Sequence, residues 1–577
     1  MKALAGMLLC ALCGCAGQAR LGAELRSLTA KVKGFCAVEL PAKPGRVELS
    51  LDQALTIERL RGIALDGDPP VMGKPPKPYD PRMTDDFPTG EAPYVARGIL
   101  PFRFRHFNCE FNYGGWHNFA MCDYALTHGF NVLSPYARKP EDWPHVPKGT
   151  KFLFWGGFVD WEKWLPKHGI PEGRYDKLAG LDLAGILASE GVFKPNSGFE
   201  QLMIDMEHPL LAPEQLRKQP WYPANATEAE RNAFEKRYYD GYAKTYVAPI
   251  QAARKAGWKN VSLYGWEPFA RTFWGLENVK LDPATYWAWN LFGKQIYAAA
   301  DILNPSVYCF YWSPKNVSYV LANIDLNRKL ADSMPVSKPM RPYYWTLLHG
   351  GGTGWRWWAN QPIPNEDVRA MTALSFFTGF NGLVLWNWSG TGSHHVPEVK
   401  LDSDVMIGRP FQAKAEGADS TTSFERYDAL HITEVSKEAT VKFQRIEKRN
   451  ARGQYGVGKD KPVYAMASKE LLPVLRPLSE PVAAMIEGMA LVKPFEYLLR
   501  HGEVKVDVSA QEQFGKDLPI VRRVKLGGYH VIATYDPGWA TAKGPRQIVL
   551  DDFDGHQGLT LALPADAQTR LFVLLER

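Results

Sequence analysis

Between residues 100 and 388 the chain sets out eight short runs of aromatic and β-branched residues, most of them followed by a stretch of helical periodicity. This alternation limits the possible folds more than any other feature. The runs are "LPFRFRHFN" (100–108), "NVLSPYA" (131–137), "KFLFWGGF" (151–158), "EQLMIDME" (200–207), "NVSLYGWE" (260–267), "SVYCFYW" (306–312), "MRPYYWTLL" (340–348) and "GLVLWNW" (382–388). The longest helical stretch covers about 227 to 256, and another covers 283 to 303. Eight β-then-α units at these intervals point to an α/β fold of the (β/α)8, TIM-type barrel class, with parallel strands inside and helices outside. Only "RKPEDWPHVPKGT" separates the second run from the third, too little for an ordinary helix, so a distorted or seven-stranded barrel is expected there.

The flanks are read separately. The opening "MKALAGMLLCALCGCAGQ" has one lysine, an apolar stretch too short to span a bilayer, then small residues and Cys15. It resembles the lipobox of bacterial lipoproteins, with Cys13 as a departure. Residues 1–18 are therefore expected to be an export signal with Cys15 as the lipid attachment point. The protein would then sit in the bacterial cell envelope or be secreted, touching a membrane only through that anchor. Residues 19–95 are expected to form a small N-terminal β module and a Pro- and Gly-rich linker. Residues 96–501 would hold the barrel with an insertion at 390–465, and 502–577 a β-sandwich-like C-terminal domain, because segments such as "VRRVKLGGYHVIATYD" read as strand and turn. Cys36, Cys109, Cys122 and Cys309 lack zinc-ligand spacing and read as structural or free thiols; export would permit a disulfide, and Cys109 with Cys122 is the pair nearest in sequence for one.

The net charge of +6 is carried by lysines and arginines spread evenly, with no basic stripe, which argues against nucleic acid as a partner. The 19 Trp, 25 Tyr and 28 Phe are a surplus that suits a sugar-binding cleft as well as a large core.

Two Asp-x-Glu triplets stand out, Asp160 with Glu162 in "FVDWEKW" and Asp205 with Glu207 in "LMIDMEHP". A triplet alone means little. In a barrel, however, chemistry sits at the C-terminal ends of the strands, and strand alternation puts Asp205 and Glu207 on one face at the end of the fourth run. A carboxyl group beside another carboxylate has a raised pKa and can donate a proton to a glycosidic oxygen. Asp160 and Glu162, on the third run, are the alternative acidic pair, and otherwise read as cleft lining or the start of a loop.

"LMIDMEHP" also resembles the fourth strand of the hyaluronidase family and, more distantly, of the chitinases. "NVSLYGWEPF", "NPSVYCF" and "FNGLVLWNW" follow in the order of that family's fifth, sixth and eighth strands, so the resemblance covers about 200 to 390. It implies a glycoside hydrolase for an N-acetylhexosamine-containing glycan, retaining by substrate-assisted catalysis, in which the substrate's acetamido oxygen replaces an enzyme nucleophile. Glu207 matches the general acid and base, and Asp205 the residue that orients the acetamido group. Tyr308 or Tyr311, with Tyr264, would hydrogen-bond the oxazolinium, and Trp386 would floor the sugar. Trp155, Trp266, Trp345, Arg356 and Asn387 complete the expected sugar-binding set. The sequence departs from the family at Met206, His208 and Pro209. Two alternatives remain at this level: a conventional pair of Glu207 and Glu267 acting on a sugar without an acetamido group, or a non-catalytic glycan-binding lipoprotein. No metal or organic cofactor is implied.

Overall fold

The computed structural model describes residues 19–40, 46–74, 96–113, 119–135, 140–157, 159–195, 198–206, 210–265, 286–311, 313–349, 363–387, 399, 401–407, 411–425, 428–448, 455–458, 460–475, 481–516, 518–539, 544–550 and 558–576. At its centre are eight parallel strands: β1 (Asn108–Tyr113), β2 (Val132–Pro135), β3 (Lys151–Gly157), β4 (Gln201–Asp205), β5 (Val261–Tyr264), β6 (Ile302–Asn304), β7 (Tyr343–Tyr344) and β8 (Gly382–Asn387). Their order is β6-β5-β4-β3-β2-β1-β8-β7. The two ends of that row meet: Arg341 N donates to Leu303 O (2.8 Å), Tyr343 N to Pro305 O (2.8 Å) and Val307 N to Tyr343 O (3.0 Å). These bonds close the cylinder, so the fold is the expected (β/α)8 barrel with all eight strands present.

Alternation along each strand separates two cores. Cys109, Phe111, Leu133, Leu383 and Leu385 face outward into one apolar cluster, and Leu202, Ile204, Val261 and Leu263 into a second. Val132, Leu153, Met203, Tyr264, Tyr308, Tyr343 and Val384 fill the inside of the cylinder. The helices around it are α1 (Phe119–Thr127), α2 (Trp161–Lys167), α3 (Leu183–Ser189), α4 (Glu228–Lys255), α5 (Lys294–Ala299), α6 (Asn316–Asp332), α7 (Asn365–Ser375) and α8 (Pro481–Val492). Helix α4 starts where Thr227 and Glu230 form a reciprocal capping box, carries Glu228 and Glu230 in its first turn and Arg254 and Lys255 in its last, and buries Phe234, Tyr238, Tyr242 and Tyr246 on one side. Such a cap stabilises a helix by about 1 kcal/mol. Among the described residues the β2–β3 connection holds only the 3-10 turn Pro140–Asp142, and Trp143 and Val146 pack against the outer core there. That is the distortion the short spacing implies.

The first run is placed differently from its sequence reading. "LPFRFRHFN" yields the two-residue strand Phe102–Arg103, which pairs with His128–Gly129 outside the barrel, and barrel strand one begins at Asn108. Phe102, Phe104 and Phe107 enter the outer apolar cluster instead.

After β8 the chain builds a separate β unit, with strands from Asp404–Met406 to Tyr464–Ala467 around Val405, Phe424, Leu430, Ile432, Val441 and Phe443, before returning as α8. The C-terminal residues form two sheets. One has five strands in the order Val38–Glu39, Arg570–Leu575, Tyr529–Tyr535, Ile520–Leu526, Glu503–Lys505; the other has three, Arg46–Leu49, Gly558–Leu563, Arg546–Leu550. Val521, Ile532 and Phe572 face the three-stranded sheet, and Val524, Val531, Ala533 and Tyr535 face the barrel's outer core. Both N-terminal strands find their partners here, pairing parallel with the last strands of the chain. Residues 19–31 are helical and lay Leu21, Leu25 and Leu28, with Val32 just beyond, into the same core as the barrel's outer strands. Cys109 and Cys122, the pair nearest in sequence, form no disulfide: both thiols are buried and free, one on the outward face of β1 and the other on α1.

Candidate active site

The C-terminal end of the barrel collects the residues that could do chemistry. In register across the sheet, Asp205 at the end of β4 lies beside Tyr264 at the end of β5. Tyr264 hydrogen-bonds Tyr308, which follows β6, and its ring stands 4.8 Å from that of Tyr343 on β7 and 6.1 Å from that of Tyr308. The amide of Asn112 on β1 donates to the Tyr343 hydroxyl at 3.2 Å. Burial raises the Tyr308 and Tyr343 hydroxyls well above the ordinary phenol range, and the Asp205 charge adds to both shifts. The two phenols therefore stay protonated, as donors, around one half-buried carboxylate.

Aromatic rings wall this cluster. Trp155 of β3 and Trp386 of β8 face inward with ring centroids 4.9 Å apart. Trp345 meets Tyr308 edge-on at 5.7 Å, and His349 stacks on Tyr308 at 5.6 Å. Among the described residues the buried Trp345 indole N–H has no partner, a donor still to be used. Tyr311 packs against the same interior cluster. Flat apolar faces around a few donors and one carboxylate suit a pyranose, whose C–H face is apolar and whose edge is polar.

Of the residues expected from sequence, Asp205, Tyr264, Tyr308, Tyr311, Trp155, Trp345 and Trp386 come together at this mouth. Glu207, Trp266, Glu267, Arg356 and Cys15 lie outside the described residues, as does the side chain of Asn387, the last residue of β8. Asp160 instead caps α2, accepting from Lys163 N at 3.2 Å and pairing with Lys163 Nζ at 2.6 Å, while Glu162 is exposed in the first turn. Sequence reasoning missed Asn112 and Tyr343, and below them Glu110 and Arg341. The available signal was polar residues at every second position of "NCEFNY" and an arginine inside an apolar run.

A cavity of about 780 Å³ opens at the opposite end of the strands, lined by Arg103, Asn108 and Lys151 among others, and includes none of these residues. Among the described residues no cluster of His, Cys, Asp and Glu is arranged to hold a metal ion.

No family model and no curated protein matches the chain. Solved structures that resemble it include bee venom hyaluronidase (21% identity, 33% of this chain and 65% of that one, TM-score 0.27). Others are a GH18 chitinase from Pseudoalteromonas aurantia (13%, 48% and 94%, TM-score 0.26) and α-L-fucosidase isoenzyme 2 from Paenibacillus thiaminolyticus (9%, 82% and 100%, TM-score 0.34). The chain spans less than two thirds of the hyaluronidase's length. At these scores the likenesses add nothing to the barrel, which stands on its own strand order and closing hydrogen bonds.

Proposed function

We propose that the chain is a glycoside hydrolase working at the mouth of its barrel on a glycan that contains N-acetylhexosamine. The observation that carries this reading is Asp205 set beside Tyr264, with the Tyr308 and Tyr343 hydroxyls around it, inside walls made by Trp155, Trp345 and Trp386. In the assisted route the acetamido oxygen attacks the anomeric carbon, so positive charge develops on the acetamido nitrogen. A carboxylate in a low-dielectric pocket stabilises that charge, and phenols held as donors fix the orientation of the group. Glu207, two residues beyond Asp205, is assigned by the sequence resemblance as the acid that protonates the leaving oxygen and then the base that activates water.

Glu207→Gln is expected to abolish reducing-end release from N-acetylhexosamine glycans while folding and glycan binding persist; full activity in that variant removes Glu207 from the mechanism. A thiazoline that mimics the oxazolinium should inhibit strongly if the route is acetamido-assisted, and a conventional pair would ignore it. The same proposal puts the protein in the cell envelope through lipid on Cys15, and mass spectrometry of the mature N-terminus checks that assignment.

A further inference from the structure

Beneath the mouth the barrel carries a polar layer that the proposed chemistry does not use. Glu110 of β1 and Arg341, two residues ahead of Tyr343, both belong to the inward face of the cylinder, and both are buried, at 0% and 8% exposure. Among the described residues neither oxygen of the Glu110 carboxyl has a hydrogen-bond partner, and Arg341 Nε has none either. The Arg341 guanidinium donates to Gln201 Oε1 at 3.1 Å, and Gln201 donates to Ser262 Oγ at 2.8 Å. A fully buried carboxyl group with no donor on it is held as the neutral acid. Burial pushes Glu110 up to about 8, with the Arg341 charge acting in the other direction.

This acid is tied to the mouth by register. Tyr343 pairs with Val384, and Val384 with Glu110, so the two side chains share one rung across β8. Asn112, the next inward residue of β1 above Glu110, donates to the Tyr343 hydroxyl. Tyr343 thus stands between two carboxyl groups, Glu110 below and Asp205 at the rim, and each acts electrostatically on its hydroxyl.

We propose that Glu110 is a positioning residue that serves only as the neutral acid, leaving Asp205 as the one carboxylate that Tyr343 and Asn112 are set to support. The proposal rests on the hydrolase reading and deepens it. If Glu110 loses its proton, a second negative charge appears beneath Tyr343. Its hydroxyl is then drawn down, away from the sugar. The charged and titratable groups recorded against Glu110 are Arg341 and Tyr343, both from the β7 segment. By register β2 and β8 present Val132 and Val384 at its level, and β3 presents Lys151, whose exposed ammonium donates to Asn108 Oδ1 at 3.0 Å.

The test compares pH profiles of kcat on an N-acetylhexosamine oligosaccharide. Glu110→Gln, which keeps the shape of the neutral acid, is expected to keep its activity at pH 6 and to lack the alkaline decline expected of the natural protein near pH 8. Glu110→Leu should lower kcat about tenfold with KM unchanged, because it removes support without touching the sugar. Infrared difference spectra should show a protonated-carboxyl carbonyl band at pH 6 that vanishes by pH 9 and is missing from Glu110→Gln. Hydrolysis with the same alkaline limb in both proteins overturns the proposal and spares the hydrolase reading, and so does a missing band at pH 6. A natural protein that hydrolyses no such glycan overturns the hydrolase reading and the role given to Glu110 with it.

Discussion

The buried acid also sets how stability should depend on pH, and this consequence needs no substrate. An exposed glutamate titrates near 4.5, whereas Glu110 in the folded barrel titrates near 8. The folded state therefore keeps a proton that the unfolded chain has already released, and stability falls as pH rises between those two values. Each pH unit in that window costs about 1.4 kcal/mol, so moving from pH 5 to pH 7.5 removes about 3 kcal/mol through this one group. A glutamine carries no titratable proton, so Glu110→Gln should lack that decline. The substitution has its own fixed cost, of about 1 to 3 kcal/mol, for burying amide hydrogens among unpaired atoms. Because that cost does not vary with pH, it cancels when the difference between the two proteins is followed across the window. Urea unfolding, read from tryptophan fluorescence at several pH values, should show the variant gaining on the natural protein by about 3 kcal/mol from pH 5 to pH 7.5. A difference that stays flat across this range would mean that Glu110 is ionised in the folded barrel, through Arg341, and the argument for a neutral acid would fail.

Other consequences follow from single contacts. Arg522 of the C-terminal sheet is fully buried and makes a paired bond to Asp325 of α6, at 3.0 and 2.6 Å, so Arg522→Met should cost about 3 kcal/mol in stability. Adding Asp325→Asn should recover part of that loss in a double-mutant cycle. A methyl group on Gly382 would lie 1.8 Å from the Asn108 carbonyl oxygen, backbone against backbone at the β8–β1 seam. Gly382→Ala should therefore destabilise by at least about 3 kcal/mol, seen as lost soluble yield or a much lower Tm. Asp160→Ala should fray α2 and leave kcat where it was, and a collapse of glycan hydrolysis in that variant would move the working acid pair to the third strand.

How much of the fold and the site is legible in the chain depends on which way each side chain points. Strands buried on both sides read as continuous apolar runs, and β3, β4, β5 and β8 are found that way. Strand β1 escapes because its inward residues, Asn108, Glu110 and Asn112, are polar; a search for apolar runs stops at "LPFRFRHFN" one strand too early. The same bias hides Arg341, the polar neighbour of Tyr343. The helix at 19–31 shows Leu21, Leu25 and Leu28, with Val32 just beyond, at helical spacing, a readable signal, whereas the partners of the two N-terminal strands lie at the far end of the chain, where no local pattern can name them. Nearness in sequence also fails for Cys109 and Cys122, since the direction of each side chain, and not the length of chain between them, decides whether two thiols meet. The two acidic triplets make the point most directly. Asp205 closes a strand in phase with the inward residues Gln201 and Met203, so its carboxylate belongs to the barrel mouth. Asp160 stands three residues past the end of β3 and begins a helix, so its carboxylate is occupied by the backbone N–H and the ammonium of Lys163. Identical letters take different roles because Asp205 still keeps the two-residue period of its strand and Asp160 has already left its own.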